Sequence, residues 1–205
     1  MKWLKEQNRR AHAFMRNEFT SPLWMTGVSF AVLLVLGFLF GWFFEDMAEN
    51  FVALFTANLT GSGIVDDNGT IHLLPLMANN IRAAIATIAY GLFPFLFLPA
   101  LSLGINSMLI GFFAAFYLNN GMSMLYFAAA IVPHGIFELP ALVLAIALGL
   151  YLCRAITQYV RHNTQGIVKT ALVNCLRVLC LRAVPLFVIA AFIECYITPR
   201  ITGLI

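Results

Sequence analysis

Long apolar runs separated by short polar stretches dominate the chain. A helix that crosses the apolar core of a bilayer needs about 20 mostly apolar residues, and several runs approach or exceed that length. The alternation of apolar and polar residues that marks membrane barrel strands is absent. The pattern therefore predicts an all-α protein, a polytopic membrane helical bundle with about five transmembrane helices in a single integral membrane domain. The predicted spans are Leu23–Phe44, Ile81–Leu101, Ile105–Leu118, Met122–Leu152 and Ala183–Ile197.

The fourth run is too long for one straight span. As a single helix, Met122–Leu152 would extend about 46 Å, against an apolar bilayer core of about 30 Å. Pro133 and Pro140 interrupt the run, and a proline disfavours helix in the residue before it. We therefore expect a helix break at Pro133, so that 122–132 forms a short outer or re-entrant helix. The true span is then 133–152.

Two basic segments outside the spans have the composition of amphipathic helices that lie on a membrane surface. Residues 1–22 mix Lys and Arg with Trp3 and Phe19. Residues 154–181 place apolar residues at helical spacing among basic ones, and we expect Gly166 to divide them. A solvated connecting helix is the alternative interpretation. Apolar residues at helical spacing over Asp46–Ala57 predict a further helix in the loop between the first two spans.

Composition and charge predict the orientation of the bundle. Hydrophobic residues make up 61% of the chain and charged residues 10%, which is typical of a membrane protein and not of a soluble one. The net charge of +3 is uneven: residues 45–80 carry acidic side chains and no Lys or Arg, whereas basic residues gather in 1–22 and 154–181. Loops rich in Lys and Arg stay in the cytoplasm. We therefore expect a cytoplasmic N-terminus and connector 154–181, and an extracytoplasmic loop 45–80 and C-terminus.

A histidine and a carboxylate interrupt the fourth apolar run, within the sequence PHGIFELP. His134 and Glu138 are four residues apart, so they share one face of a helix. The small residues Ala141, Ala145 and Gly149 continue that face, and such stripes let a neighbouring helix approach closely. We therefore expect both polar side chains to point into the bundle.

The second span offers partners for this pair. Asn79 and Arg82 lie near its outer end, and Arg82 is expected about 7 Å farther out than Glu138, within reach of a long side chain. The sequence thus predicts an outer polar cluster of Asn79, Arg82, His134 and Glu138, with Tyr90 below it. Two further polar candidates are Asn80 and Asn106. Asn106 is expected near the inner turn after the second span, where it could serve a separate site.

Motifs for cofactors or covalent chemistry are missing. The sequence has no Walker motif, no dinucleotide-binding loop and no nucleophile elbow. The four cysteines, Cys153, Cys175, Cys180 and Cys195, lack zinc-type spacing and are expected to be packing residues. We therefore predict no enzymatic activity, no cofactor and no nucleic-acid partner.

Two stretches carry a family resemblance. HGIFELPA with its following Ala-rich run, and NNIRAAIATIAYGLFP leading into GINSMLIGF, resemble the stage II sporulation protein M family of bacterial and archaeal membrane proteins. The resemblance is closest over residues 79–152. It implies a multi-pass protein of the prokaryotic cytoplasmic membrane. In sporulating relatives, it implies a protein that organises peptidoglycan-degrading partners, the D and P proteins, during engulfment.

Three functions are consistent with these patterns. The first is a non-enzymatic scaffold, in which loop 45–80 and the interfacial helices hold partners and the polar pair fixes helix register. The second is a transporter or channel for a small substrate or ion with a polar site at Arg82, His134 and Glu138. A homo-oligomer, with a dimer favoured, would complete its pathway. The third is a metal site or a metal-dependent hydrolase, with His134 and Glu138 as two ligands and Glu194 as a third if it packs nearby.

Overall fold

The computed structural model describes residues 2–66 and 69–203, so Asp67 of the acidic loop lies outside the described residues. The described part is almost entirely helical, with a single antiparallel bridge between Val65 and Ile71. The α-helices are α1 (Lys2–Phe14), α2 (Thr20–Phe43), α3 (Glu45–Gly61), α4 (Leu73–Tyr90), α5 (Leu98–Asn119), α6 (Met124–His162), α7 (Ile167–Val178), α8 (Val184–Tyr196) and α9 (Thr198–Thr202). Single π turns at Met15–Phe19 and Leu179–Ala183 join α1 to α2 and α7 to α8.

Four helical segments within the described residues are long and apolar enough to cross a membrane, which is fewer than the predicted five. They are Lys2–Phe43, Leu98–Asn119, Met124–His162 and Ile167–Thr202. Their outward faces carry exposed Val, Leu, Ile and Phe side chains, as expected of helices surrounded by lipid. The chain is therefore a helical membrane protein.

The predicted span Ile81–Leu101 is not one helix. The helix α4 begins earlier, at Leu73, and ends at Tyr90. A 3-10 turn at Pro94–Leu96 follows, and Phe97 then adopts a left-handed conformation with φ of 46°. Pro94 helps to explain this ending, because it lacks the N–H that would bond to the carbonyl of Tyr90. Pro99 lies in the first turn of α5. The helix α4 is nevertheless packed inside the bundle, against α6 and α8.

The expected helix break at Pro133 is not found. The helix α6 is continuous over 39 residues and contains both Pro133 and Pro140. Interior prolines are tolerated in membrane helices because neighbouring helices stabilise the local backbone, and α4, α5 and α8 all pack on α6. The helix α6 is about 58 Å long. Its extra length lies at the C-terminal end, where it continues as far as His162 instead of ending near Leu152. Residues 122–132 are accordingly not a separate re-entrant helix.

Close backbone contacts hold the central helices together. A Cβ atom on Gly149 of α6 would lie 2.6 Å from the carbonyl oxygen of Thr87 on α4. A Cβ atom on Gly37 of α2 would lie 2.7 Å from the Cα of Met108 on α5. Only glycine permits such approaches. The face that Ala141 and Ala145 share with Gly149 is fully buried, as its small side chains predicted.

Further helices pack at the two ends of the bundle. At one end, α1 and α7 pack together, and Arg177 Nε donates a hydrogen bond of 2.8 Å to Gln7 Oε1. The helix α7 begins directly after Gly166, whose φ is 81°, so the predicted division there is confirmed. At the other end, α3 lies across α5, with the ring centroids of Phe55 and Phe113 5.6 Å apart. Two of the cysteines, Cys153 and Cys175, are buried as free thiols.

Candidate functional site

A cavity of about 480 Å³ lies inside the bundle between α3, α4, α5, α6 and α8. We call it the site cavity. Most of its wall is apolar, including Phe55, Leu109 and Phe187. Its polar lining residues come from five different helices and are Asn58, Asn79, Asn80, Asn106, Tyr117, His134, Glu138 and Glu194. The fold thus brings polar groups from distant parts of the chain together in one cavity.

Three ionisable side chains converge in the site cavity. The ligand atoms that His134, Glu138 and Glu194 can offer all lie within 4.8 Å of one another. Nε2 of His134 is 4.0 Å from Oε2 of Glu138, and the two side chains are 14% and 27% exposed. The first two residues lie one turn apart on α6, and Glu194 reaches them from α8. We call these three residues the His–Glu–Glu cluster.

Two hydrogen bonds orient the cluster from neighbouring helices. Asn80 on α4 donates from Nδ2 to Oε1 of Glu138 at 3.4 Å. Thr198 on α9 places Oγ1 3.5 Å from Nδ1 of His134. The contacted atoms are those that face away from the cluster, so Glu138 Oε2 and His134 Nε2 stay directed toward each other. Glu194 forms no hydrogen bond with the residues that the structure describes, which leaves its carboxylate available to a ligand.

The structure brings some of the other predicted site residues to the site cavity and leaves others outside it. Asn79, Asn80 and Asn106 all line the site cavity. Asn106 belongs to this space, not to a separate inner site, because α5 begins at Leu98 and carries Asn106 two turns into the bundle. Its Nδ2 donates to the carbonyl oxygen of Ser102 at 2.8 Å.

Arg82 and Tyr90 are not brought into the cluster. Both side chains are exposed, and neither lines the site cavity. Arg82 forms no ion pair with the described residues. Arg82 follows Asn80 by two positions, and residues two apart in a helix point to different faces. Since Asn80 faces Glu138, Arg82 points away from Glu138. A similar depth in the membrane therefore did not predict a contact between Arg82 and Glu138.

Asn58, Tyr117 and Thr198 are contacts that sequence reasoning missed. The helical spacing within residues 46–57 predicted a helix there but gave no sign that it would cover a cavity. Thr198 lies beyond the last predicted span and reaches His134 only because α9 folds back against α6. No local pattern marks such contacts, which join residues far apart in the chain.

A second, larger cavity of about 570 Å³ lies near the opposite end of α6. Its lining includes Glu18, Tyr151 and Arg154, and the Tyr151 hydroxyl donates to Glu18 Oε2 at 3.1 Å. The acidic group already has a hydrogen-bond partner, and a basic residue lines the same space. This cavity therefore lacks the two convergent carboxyl groups and the histidine of the site cavity, which remains the better candidate site.

Comparison with known proteins identifies relatives of this chain. The family model for stage II sporulation protein M matches residues 29–199. An uncharacterized protein from Methanocaldococcus jannaschii is 37% identical over 73 residues, which is 36% of this chain and 41% of that protein. The chain thus matches less than half of that relative's length. No solved structure matches the chain significantly.

Proposed function

This chain belongs to the stage II sporulation protein M family, and we propose that it is a membrane carrier for a small polar or cationic solute. The observation behind the proposal is that His134, Glu138 and Glu194 converge on a cavity of about 480 Å³ inside the bundle. Ligand sites are commonly clefts of roughly 300–1,000 Å³ with a few convergent polar groups in an apolar wall. The site cavity has this size and this composition.

The energetic cost of placing ionisable side chains inside the bundle also favours a ligand site over a purely structural contact. Ionisable side chains inside a membrane domain are costly and usually mark a pathway or a ligand site. Where α6 needs only to pack against α4, the chain uses Ala145 and Gly149. The same helix carries His134 and Glu138 at the cavity. A purely structural contact would not need two carboxylates and an imidazole in one space.

The packing beyond the cavity favours a carrier over an open channel. Toward the α1–α7 end, Gly149 lies against the backbone of Thr87 and the ring of Pro99. The hydroxyls of Thr87 and Ser102 lie 3.2 Å apart across the interface between α4 and α5. These contacts pack α4 closely against α6 and α5 on this side of the site cavity. A solute that crossed between these helices would need them to shift, which is the behaviour of a carrier.

The helix α3 is suited to act as the outer cover. It contributes Phe55, Asn58 and Leu59 to the wall of the site cavity. It is connected to α2 through Phe44 alone, and a turn-containing segment joins its other end to α4. Movement of this one helix would open the cavity without separating the central helices.

We place the protein in the prokaryotic cytoplasmic membrane with the N-terminus inside. The contacts of Asn80 with Glu138 and of Gly91 with Gly149 show that α4 runs parallel to α6. With α4 counted as a fifth crossing segment, the basic α1 and α7 lie in the cytoplasm and the C-terminus lies outside. The function is non-enzymatic, and a homodimer is the favoured assembly.

Flux measurements on purified protein in liposomes test the carrier. The vesicles would contain indicators for protons, K⁺, Mn²⁺ and Zn²⁺, and uptake would be compared with protein-free vesicles. We expect flux of at least one of these ions, and its loss in Glu138→Gln. The matched control is Glu6→Gln, because Glu6 lies on α1 and pairs only with Arg9 and Arg10.

Correctly folded wild-type protein that moves none of the four ions would argue against cation transport. A flux that Glu138→Gln and Glu6→Gln leave equally intact would show that the site cavity is not on the pathway.

Family membership favours a second function, that of a scaffold. In this version, the α1–α7 end would hold partners, including peptidoglycan-remodelling proteins in sporulating relatives. Trp3 and Leu4 on α1 are strongly exposed, and their side chains could contact either lipid or a partner. The polar cluster would then only fix the register of α4, α6 and α8.

Complementation of a deletion strain separates the two functions. A carrier loses its function in Glu138→Gln and keeps it in a double variant with Trp3→Ser and Leu4→Ser. A scaffold shows the reverse. Both variants would need to reach wild-type abundance in the membrane for this comparison to be informative.

A further inference from the structure

We propose that the His–Glu–Glu cluster binds a divalent transition-metal cation, with Zn²⁺ and Mn²⁺ as the best-matched ions. The inference rests on the proposed function, since the metal ion would be the transported solute and not a resident cofactor. It gives specific roles to His134, Glu138 and Glu194, whose ligand atoms lie within 4.8 Å of one another.

The distances are close to those of a metal site. Zinc binds imidazole nitrogen and carboxylate oxygen at about 2.0–2.2 Å, so two ligand atoms of a tetrahedral ion lie about 3.4 Å apart. His134 Nε2 and Glu138 Oε2 are 4.0 Å apart. Glutamate side chains rotate readily at their outer torsions, and such rotation of Glu138 and Glu194 draws the three atoms onto one ion.

The hydrogen bonds around the cluster leave the right atoms free. A metal-bound histidine usually donates from its second ring nitrogen to a neighbouring group, which fixes the ring and its tautomer. Here Nδ1 of His134 lies 3.5 Å from Thr198 Oγ1. In the tautomer that a metal ion would select, Nδ1 donates to this hydroxyl and Nε2 keeps its lone pair. Asn80 binds Glu138 through Oε1 and leaves Oε2 for the ion.

The charge balance of the site cavity calls for a cation. Two carboxyl groups line it, and no Lys or Arg is among its described lining residues. Arg82, which could have supplied a positive charge, is exposed elsewhere. Glu194 accepts no hydrogen bond from any residue that the structure describes. Carboxylates held together away from water need a counter-charge, and a divalent ion supplies it.

The ligand types select the class of metal. Imidazole suits Zn²⁺ and the later first-row ions, and the two carboxylates also suit Mn²⁺, whereas Mg²⁺ and Ca²⁺ are usually bound by oxygen ligands alone. The absence of thiolate from the cluster disfavours Cu⁺. Three protein ligands also leave at least one coordination position open, whereas structural zinc sites are closed by four. An open, incomplete site suits an ion that must be released.

Direct binding to the purified protein in detergent is the first test. Isothermal titration with ZnCl₂, MnCl₂ and MgCl₂ would measure affinity, and absorption spectra with CoCl₂ would report nitrogen and oxygen coordination. We expect one Zn²⁺ or Mn²⁺ per chain, with Mg²⁺ at least about 100-fold weaker. Glu194→Gln and His134→Gln should each weaken binding by more than the 10–100-fold typical of an outer-sphere change.

The matched control is His72→Gln. His72 is an exposed histidine 3.7 Å from Asp66, outside the site cavity, so its replacement should leave the stoichiometry and the Co²⁺ spectrum unchanged. Glu194→Gln preserves side-chain shape, and a gel-filtration profile would show that it still folds. If Glu194→Gln misfolds, the wild-type titration and the His134→Gln spectrum remain decisive.

The outcomes separate this inference from the carrier proposal. If folded wild-type protein binds none of the metals, the two carboxyl groups share a proton instead and the metal site is wrong. Proton or K⁺ flux that depends on Glu138 would still support the carrier in that case. If the metal binds with the expected losses in the variants but no ion is transported, the metal site stands and the carrier does not.

Discussion

Asn80 on α4 donates a hydrogen bond to Glu138 on α6 at 3.4 Å. This contact joins two helices across the wall of the site cavity and sets which carboxylate oxygen faces His134. It is the direct link between the packing of α4 and the geometry of the cluster.

Replacement of Asn80 should therefore affect both stability and binding. Asn80→Ala removes the donor, and we expect a loss of about 1 kcal/mol in the free energy of unfolding. The affinity for Zn²⁺ should fall about 10-fold, because the second-sphere support of Glu138 is lost. Unfolding in detergent and titration calorimetry measure the two effects. Asn120→Ala is the control, since the exposed Asn120, directly after α5, donates from its side chain to the carbonyl oxygen of Phe116, outside the site cavity.

Gly149 tests the close approach of α4 to α6. A Cβ atom there would lie 2.6 Å from Thr87 O and 3.2 Å from Pro99, so Gly149→Ala should destabilise the protein by about 1–3 kcal/mol. Gly104→Ala is a matched change within α5, because a Cβ atom there meets no heavy atom within 4 Å. Gly104→Ala should leave the free energy of unfolding unchanged or raise it slightly. Equal melting temperatures for the two variants would contradict the described packing.

Metal addition should stabilise the folded protein. If Zn²⁺ is present at about 100 times its dissociation constant, binding adds about 2.7 kcal/mol to the stability. EDTA should reverse the change. The shift in melting temperature should vanish in Glu194→Gln and persist in His72→Gln. A shift of the same size in both variants would place the bound metal outside the His–Glu–Glu cluster.

Loss of the contact between α1 and α7 should not affect metal binding in the site cavity. Arg177 donates to Gln7 and also to Asn174, so Arg177→Ala should loosen the part of α1 around Gln7 and speed its amide hydrogen exchange. The affinity of the distant site cavity should not change. Arg9→Ala is the control, because Arg9 contacts only Glu6 within α1. Slower exchange of α1 in Arg177→Ala would contradict the contact.

Local periodicity was a good guide to what lies on one helix face. The four-residue spacing of His134 and Glu138, followed by small residues at Ala141, Ala145 and Gly149, gave the correct buried face of α6. The last predicted span, 183–197, agrees with α8 within a residue at each end. Such features depend on neighbours in sequence, which a single chain reveals.

Features that depend on contacts between helices were less predictable. Pro133 was expected to break a helix, but α4, α5 and α8 surround α6 and allow it to continue. Arg82 was assigned to the cluster from its expected depth and the reach of its side chain. The sequence did not show which face of α4 turns toward α6, and the structure places Asn80 on that face. Glu194 could be named only as a conditional third ligand, because the packing of α8 on α6 decides its position.

The two interior prolines of α6 have a mechanical consequence. Proline removes a helix hydrogen bond, so Pro133 and Pro140 place two points of easy bending on either side of Glu138. Beyond them, residues 141–162 form an uninterrupted arm of about 33 Å. Much of this arm is buried, and it is held by the close contact of Gly149 with Thr87. The helix is therefore weakest in backbone hydrogen bonding beside the cluster and firmly packed farther along.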